Sequence, residues 1–489
     1  MKGKKKQFAK DFLSYGLVES IGRIASIFLL PILTRTLSVE EFGSIDLIFV
    51  LTLLLANVFQ LSLTISLSRF LRVHKGEKTP LYFTLTVFIT LFSIVLMIPL
   101  IIFSDAIASV LVDDSRFSFY LEISILAAFF MALSNLSQLL LRRRRQIFLF
   151  GTMNIAYVFL YVGLSLLFVL QYDQGALGVF YGYLAANFLK YVMGLLFTWS
   201  DFVFRWDKEG LVSSLNLSLP FFPGSIANWA NSQLNRLIIL NILGLTAMGF
   251  FGAASRISNL INFSVQLFKK TWQPHAVELI QEKEDNEVFA NMLIYYFGFY
   301  ITLGVMFILV SPFLIDVMLP EVYFDVYTIV PWLAMGQIIH YSSSILNVGT
   351  IITLKTGVNA RTSGIALISN VTGAIVLGYY FGILGVSISF MLSEILSRIY
   401  MISQTQKLVR IDFDTKLVAK LVLLYIFAAL AFILYLHIYP FTPLHYLLVA
   451  ITLCVLYFGV FYVLLKKKHS AFFEYFINLL SARFGKANS

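Results

Sequence analysis

Apolar runs follow one another along this chain from residue 12 to residue 465, broken only by short polar connectors. Each run is about 20 to 25 residues long, enough to cross the roughly 30 Å of hydrocarbon in a bilayer as a helix. The pattern predicts fourteen spans, near 12–34, 42–66, 81–103, 119–141, 147–170, 176–198, 215–241, 247–268, 291–313, 327–350, 361–381, 383–404, 417–438 and 445–465. The expected fold class is therefore an all-α polytopic membrane protein of about 14 transmembrane helices.

Charge in the connectors alternates. With the N-terminus inside, the cytoplasmic segments and their flanks collect 29 of the 36 Lys and Arg residues, among them Lys2, Lys4 to Lys6 and the run Arg142 to Arg145. The opposite connectors hold Arg35 and Arg116 beside acids such as Glu40, Glu41, Asp113 and Asp114. Positive residues accumulate on the cytoplasmic side, so both termini are expected inside. The net charge of +10 is thus a topology signal, and nucleic acid is excluded as a partner. The basic start runs straight into a long apolar span without a cleavage-site pattern and reads as a retained first helix.

Composition narrows the chemistry. Only 13% of residues are charged, against about 25% in soluble domains. Cys454 is the single cysteine, so an internal disulfide or a cysteine metal cluster is excluded, and the six histidines show no zinc spacing. Neither GxxxxGK[ST] nor GxSxG is present, so nucleotide hydrolysis and a hydrolase nucleophile have no support. An enzyme is not expected, and neither is a cofactor or resident metal. Energy is expected from an ion gradient, from the membrane potential acting on a charged substrate or from downstream consumption of product, with Glu19, Asp46 and Glu394 as candidate proton or sodium sites.

A repeat underlies the spans. The turn LSVEEFGSI at Leu37 to Ile45 returns as LGLTAMGFF at Leu243 to Phe251, aligning Gly43 with Gly249. GALGV at Gly175 to Val179 returns as GILGV at Gly382 to Val386 at nearly the same offset. Six spans per copy leave both copies in one orientation, related by an axis along the membrane normal. The predicted divisions are an N-terminal six-helix lobe at 1–205, a second at 206–410, two additional spans at 411–465 and a cytoplasmic amphipathic tail at 466–489. A central cavity between two lobes follows from that plan.

Seven charges fall inside spans: Glu19, Arg23, Lys190, Arg236, Arg256, Glu394 and Arg398. Each would cost about 2.5 to 3.5 kcal/mol if it faced lipid near a helix centre, so protein or water must receive them. Glu19 with Arg23 and Glu394 with Arg398 are four residues apart and read as local pairs. Lys190 and Arg398 lie near span ends and read as snorkelling, an option shared by Arg236. Amides gather at helical spacing in spans 2, 7 and 8: Asn57 and Gln60; Asn228 and Asn235; Asn259, Asn262 and Gln266. Arg256 sits deepest, with no acid three or four residues away, and a guanidinium donates two parallel hydrogen bonds to phosphate. An anionic headgroup is the ligand that suits it.

YGLVESIGRIASIFLLPILTRTLSVEEFGSIDLIFVL and LPFFPGSIANWANSQLNRLIILNILGLTAMGFFGAASRISNLI carry a resemblance. They are similar to the first two and the seventh and eighth helices of the polysaccharide transporter family, the Wzx-type flippases. That family sits in a superfamily with drug exporters and the peptidoglycan-precursor flippase. The resemblance implies two six-helix bundles plus two helices. It also implies flipping of undecaprenyl-diphosphate-linked oligosaccharide across a bacterial cytoplasmic membrane by alternating access, in a monomer working beside other polysaccharide-assembly proteins and membrane lipid. It places Arg236 and Arg256 where the family often keeps a basic cavity residue, with Arg23 in the first helix. The expected substrate contacts are then Arg256, Arg236, Arg23, Asn228, Asn235, Asn259, Asn262, Gln266, Asn57 and Gln60. A cation-coupled multidrug exporter is the alternative, and positive cavity charge speaks against it. A membrane glycan polymerase or ligase would show a large outer loop, which is absent from the sequence pattern.

Overall fold

A computed structural model describes residues 28–73, 80–112, 116–281, 286–353, 355, 357–439 and 442–466. All regular structure among these residues is helical. Among the described residues nine helices can cross a bilayer by length and composition, or ten if the bent pair Glu321–Thr328 and Val330–Thr353 counts as one span. Fourteen separate spans are not counted among the described residues. The first expected span lies mostly outside them, and two pairs of expected spans run on as long helices broken at glycine. The chain is an all-helical, multi-pass membrane protein.

Contacts divide it between Gly252 and Ala253. The first unit contains α1 (Val39–Gln60), α2 (Leu63–Val73), α3 (Pro80–Ile102), α4 (Arg116–Arg143), α5 (Ile147–Leu166), α6 (Gly175–Thr198) and α7 (Lys208–Ser218). It also takes the beginning of α8 (Phe222–Gln281), so this compact unit extends past residue 205, where the sequence pattern predicts a lobe to end. The second unit contains the rest of α8, then α9 (Asn286–Met318), α10 (Val330–Tyr341), α11 (Gly357–Leu408), α12 (Thr415–Ile438) and α13 (Pro443–Lys466).

Local chemistry sets the helix ends. Ser38 and Glu41 form a capping box at the start of α1: the Glu41 amide donates to Ser38 Oγ at 3.1 Å and the Ser38 amide to Glu41 Oε2 at 3.0 Å. Leu61 and Ser62 both adopt left-handed φ, which splits the expected span 42–66 into α1 and α2. Pro220 lies within the 3₁₀ turn Leu219–Phe221, and Pro223 is in the first turn of α8, which begins directly after it.

One of the two repeated turns keeps its conformation in both places, whereas in the other Ser38 has φ −65° and the aligned Gly244 has φ 83°. Gly175 and Gly382 both take positive φ, 53° and 60°, where a side chain would be strained. Gly43 and Gly249, aligned by the repeat, lie against each other in the first unit. A Cβ on Gly43 would overlap the Leu245 carbonyl, and one on Gly249 would overlap the Val39 carbonyl. Val39 and Leu245 are themselves 206 residues apart, the same offset as Gly43 and Gly249, so the contact is reciprocal. Because the obstacle is backbone, Gly43→Ala and Gly249→Ala are each expected to destabilise by about 1–3 kcal/mol. Thermal unfolding of the purified protein checks this, and a large effect at one site with none at the other would deny the reciprocity.

In the first unit α6 packs along α4 and α5, and α1 along α4. Polar atoms in these seams pair with each other: Thr52 with Ser124 at 2.9 Å, the Tyr82 hydroxyl with Ser137 at 3.0 Å and Thr198 at 2.8 Å. Such bonds average about 0.6 kcal/mol in a bilayer, and their larger effect is that these hydroxyls are not left unpaired in hydrocarbon. On α3 the residues Leu91, Val95, Ile98 and Ile102 form one exposed apolar stripe, the face expected of a helix against lipid. In the second unit α10 packs on α11 and α9 on α12. The Tyr296 and Tyr425 hydroxyls donate to the carbonyls of Ile338 and Pro331 at 2.6 and 2.8 Å.

Candidate functional site

In the second unit α8 presents the amide stripe the sequence predicts. Gln266 Nε2 donates to Asn262 Oδ1 at 3.0 Å, and Asn262 Nδ2 donates to Asn259 Oδ1 at 3.1 Å. Gln337 of α10 donates to the same Asn259 oxygen at 3.4 Å. Residues three and four apart share a helix face, so the ladder runs along one side of α8. Arg256, half-buried, lies nearly one turn above Asn259, within electrostatic reach of the Tyr323 hydroxyl. A run of amides with Asn259 exposed at its head offers donors and acceptors to hydroxyls, beside a cation suited to phosphate.

A second cluster in this unit was only half visible in the sequence. Arg398 Nη2 donates to Glu394 Oε2 at 2.6 Å, the local pair expected from the four-residue spacing. The other carboxylate oxygen of Glu394 lies 3.0 Å from His340 Nδ1 of α10. Glu394 and Arg398 are buried, whereas the His340 side chain is 44% exposed. Arg398 Nε is buried without a hydrogen-bond partner. A lone histidine in an apolar run carries no spacing signal, so His340 was missed. Its partner lies 54 residues away, and only helix packing brings the two together.

In the first unit two residues assigned to different roles meet. Arg236, expected to contact substrate, donates from Nε to Oδ2 of Asp46, expected to couple an ion, at 2.5 Å. Arg236 Nη1 also donates to Gln233 at 3.0 Å, and the guanidinium lies 5.7 Å from the Phe251 ring centroid. Gln60 is buried and donates to the Ala132 carbonyl at 2.9 Å, while half-buried Asn57 donates back to the Leu53 carbonyl at 2.9 Å. Asn228 is exposed on α8 and Asn235 is buried. Lys190 does not stand alone at a span end: its ammonium sits 4.6 Å from the centroid of the Tyr157 ring. Glu19 and Arg23 lie outside the described residues, as does the expected tail helix. Among the described residues no three His, Cys, Asp or Glu side chains come together to hold a metal ion.

Comparison places this architecture. The fold is similar to a lipid II flippase, MurJ, in an inward closed conformation, with TM-score 0.69 and 16% identity over 92% of this chain and 99% of that one. It is also similar to an inward-facing multidrug resistance MATE family transporter of the MOP superfamily, at TM-score 0.65 and 13% identity over 79% of this chain and 94% of that one. A Vibrio cholerae MATE transporter gives TM-score 0.57 and 14% identity, covering 83% and 98%. No curated protein is matched. At these identities the structures establish the fold. The sequence adds the family: a family model described as a polysaccharide biosynthesis protein matches residues 32–328, more than half of the chain. With that match and a flippase-like helical fold, the chain belongs to the polysaccharide biosynthesis protein family.

Proposed function

We propose that this protein is a flippase that moves undecaprenyl-diphosphate-linked oligosaccharide from the inner to the outer leaflet of a bacterial cytoplasmic membrane by alternating access. Both termini are inside, the working unit is a monomer, and no chemical bond is made or broken. Family membership supports the polysaccharide pathway, and the fold it shares with a lipid II flippase supports a lipid-linked diphosphate as cargo. The single observation that carries the reading is the amide ladder Gln266, Asn262, Asn259 with Arg256 beside its head. The guanidinium takes the diphosphate through charge-assisted hydrogen bonds, and the amides take sugar hydroxyls. A drug exporter for cations gains nothing from that arginine.

The energy source is a proton or sodium gradient, with Glu394, Asp46 and Glu19 as the carboxylates that couple to it. Both carboxylates among the described residues are held by arginine, so any ion they accept must compete with a guanidinium.

Arg256→Ala is expected to reduce transport about 10- to 100-fold, the equivalent of about 1.5–3 kcal/mol for a hydrogen bond to a charged group. The measurement is translocation of a labelled lipid-linked oligosaccharide in vesicles, scored by protection from an external reagent, with membrane expression confirmed for the variant. Wild-type transport rates in Arg256→Ala would remove the docking assignment.

A further inference from the structure

Among the described residues of the first unit, Lys190 is an intramembrane cation that the reading above does not use. It lies on α6 about two turns from the Thr198 end, half-buried. Among the described residues no carboxylate pairs with it, and the charge it feels most is that of Arg142, another cation. An ammonium in such a place is expensive and calls for a partner of opposite sign.

Its surroundings describe that partner. Along α5, Asn154, Tyr157 and Tyr161 recur at helical spacing, and along α6 Tyr183, Asn187 and Lys190 do the same, so two matching stripes meet in one seam. The Tyr157 and Tyr161 rings are nearly parallel, at 15° with centroids 6.3 Å apart, and Tyr161 meets Tyr183 edge-on at 5.8 Å. Phe49 of α1 extends the same wall, 4.8 Å from Tyr183. The buried Asn187 side chain donates to the Tyr183 main-chain carbonyl at 2.9 Å, which leaves its amide oxygen as an acceptor. Aromatic faces receive the C–H face of a pyranose ring, hydroxyl and amide groups receive its hydroxyls, and an ammonium receives an acidic substituent.

We propose that the seam between α5 and α6 is a subsite for an acidic saccharide, with Lys190 as its charge partner and the tyrosine wall as its platform. The inference deepens the proposed function, because it rests on the cargo being a glycan. The anion that Lys190 meets is borne by the sugar, as a carboxylate, rather than by the lipid diphosphate.

Binding to the purified full-length protein in detergent, followed by saturation-transfer NMR without any lipid-linked cargo, tests this separately from transport. The probes are digalacturonic acid, its neutral counterpart digalactose, and inorganic pyrophosphate. Digalacturonate is expected to bind saturably and about tenfold more tightly than digalactose. Lys190→Gln is expected to abolish that preference, Lys190→Arg to keep it, and Tyr157→Phe to keep binding while Tyr157→Leu loses about tenfold. A folded Lys190→Gln that binds digalacturonate as the wild type does overturns the subsite. So does pyrophosphate displacing digalacturonate with equal or higher affinity in a Lys190-dependent manner, which would assign the cation to the headgroup. If the vesicle assay shows no lipid-linked transport while digalacturonate still binds through Lys190, the flippase reading falls and the subsite stands.

Discussion

Asp46→Asn is expected to destabilise the protein by about 3–5 kcal/mol, the cost of leaving a largely buried charge without its partner. Arg236 and Asp46 expose only 16% and 7% of their side chains, and the 2.5 Å contact joins residues 190 positions apart. Asparagine keeps the shape and removes the charge, so the guanidinium keeps Gln233 and the Phe251 face but loses its counter-ion. Arg236 cannot shed its proton to escape, because guanidinium stays charged in proteins. The double variant Asp46→Leu with Arg236→Met is expected to recover most of the loss, since a buried pair exchanged for apolar groups is often neutral. Thermal unfolding of the two single variants and the double variant forms a cycle. Additive losses, with no recovery in the double variant, would show that the two side chains do not act as a pair.

The same contact bears on transport. Arg236 is held by a carboxylate, which makes it a weak anchor for diphosphate, because the incoming anion must displace Asp46 first. Arg256 lies one turn from Asn259, at the head of the amide ladder. Loss of Arg236 is therefore expected to show chiefly in stability, and loss of Arg256 chiefly in transport. Measuring expression and transport together for both variants separates the two roles.

What the sequence made legible was local. Apolar length predicted the helices, and the repeated glycines marked turns that both take left-handed φ at Gly175 and Gly382. The stripe Asn259, Asn262 and Gln266 was readable because three- and four-residue spacing puts side chains on one face whatever the helix packs against. The pair Glu394 and Arg398 was readable for the same reason. Contacts across helices were not. Which face of α8 meets α1 depends on helix rotation, so Asp46 and Arg236 appeared in separate roles although they form one ion pair. His340 gave no pattern at all, and Lys190 looked like a snorkelling residue because nothing in its own helix shows the Tyr157 ring of α5 beneath it. The break at Leu61 and Ser62 was also hidden, since leucine and serine are ordinary helix residues and only the packed chain holds them at positive φ.

Glu394→Gln carries the other large expected effect, and its size follows from where the carboxylate sits. Glu394 is buried and holds two groups at once, Arg398 at 2.6 Å on one oxygen and His340 at 3.0 Å on the other. Glutamine removes the charge and offers a single acceptor oxygen, so one of the two neighbours loses its acceptor and the Arg398 charge is left uncompensated among apolar helices. A loss of about 3–5 kcal/mol is expected, read as a lowered unfolding midpoint. His340→Gln removes only the more exposed partner, and Glu394 keeps its guanidinium, so the loss there is expected near 1 kcal/mol. This order decides between two roles for the carboxylate. If Glu394 serves the fold alone, transport falls only as far as the folded fraction falls, and the remaining protein works with an unchanged dependence on the ion gradient. If it couples to an ion, the folded fraction of Glu394→Gln still loses gradient-driven transport, while His340→Gln keeps a folded protein whose transport responds differently to external pH. Equal destabilisation by Glu394→Gln and His340→Gln would contradict the arrangement, because it would mean that the carboxylate is not the member holding the cluster together.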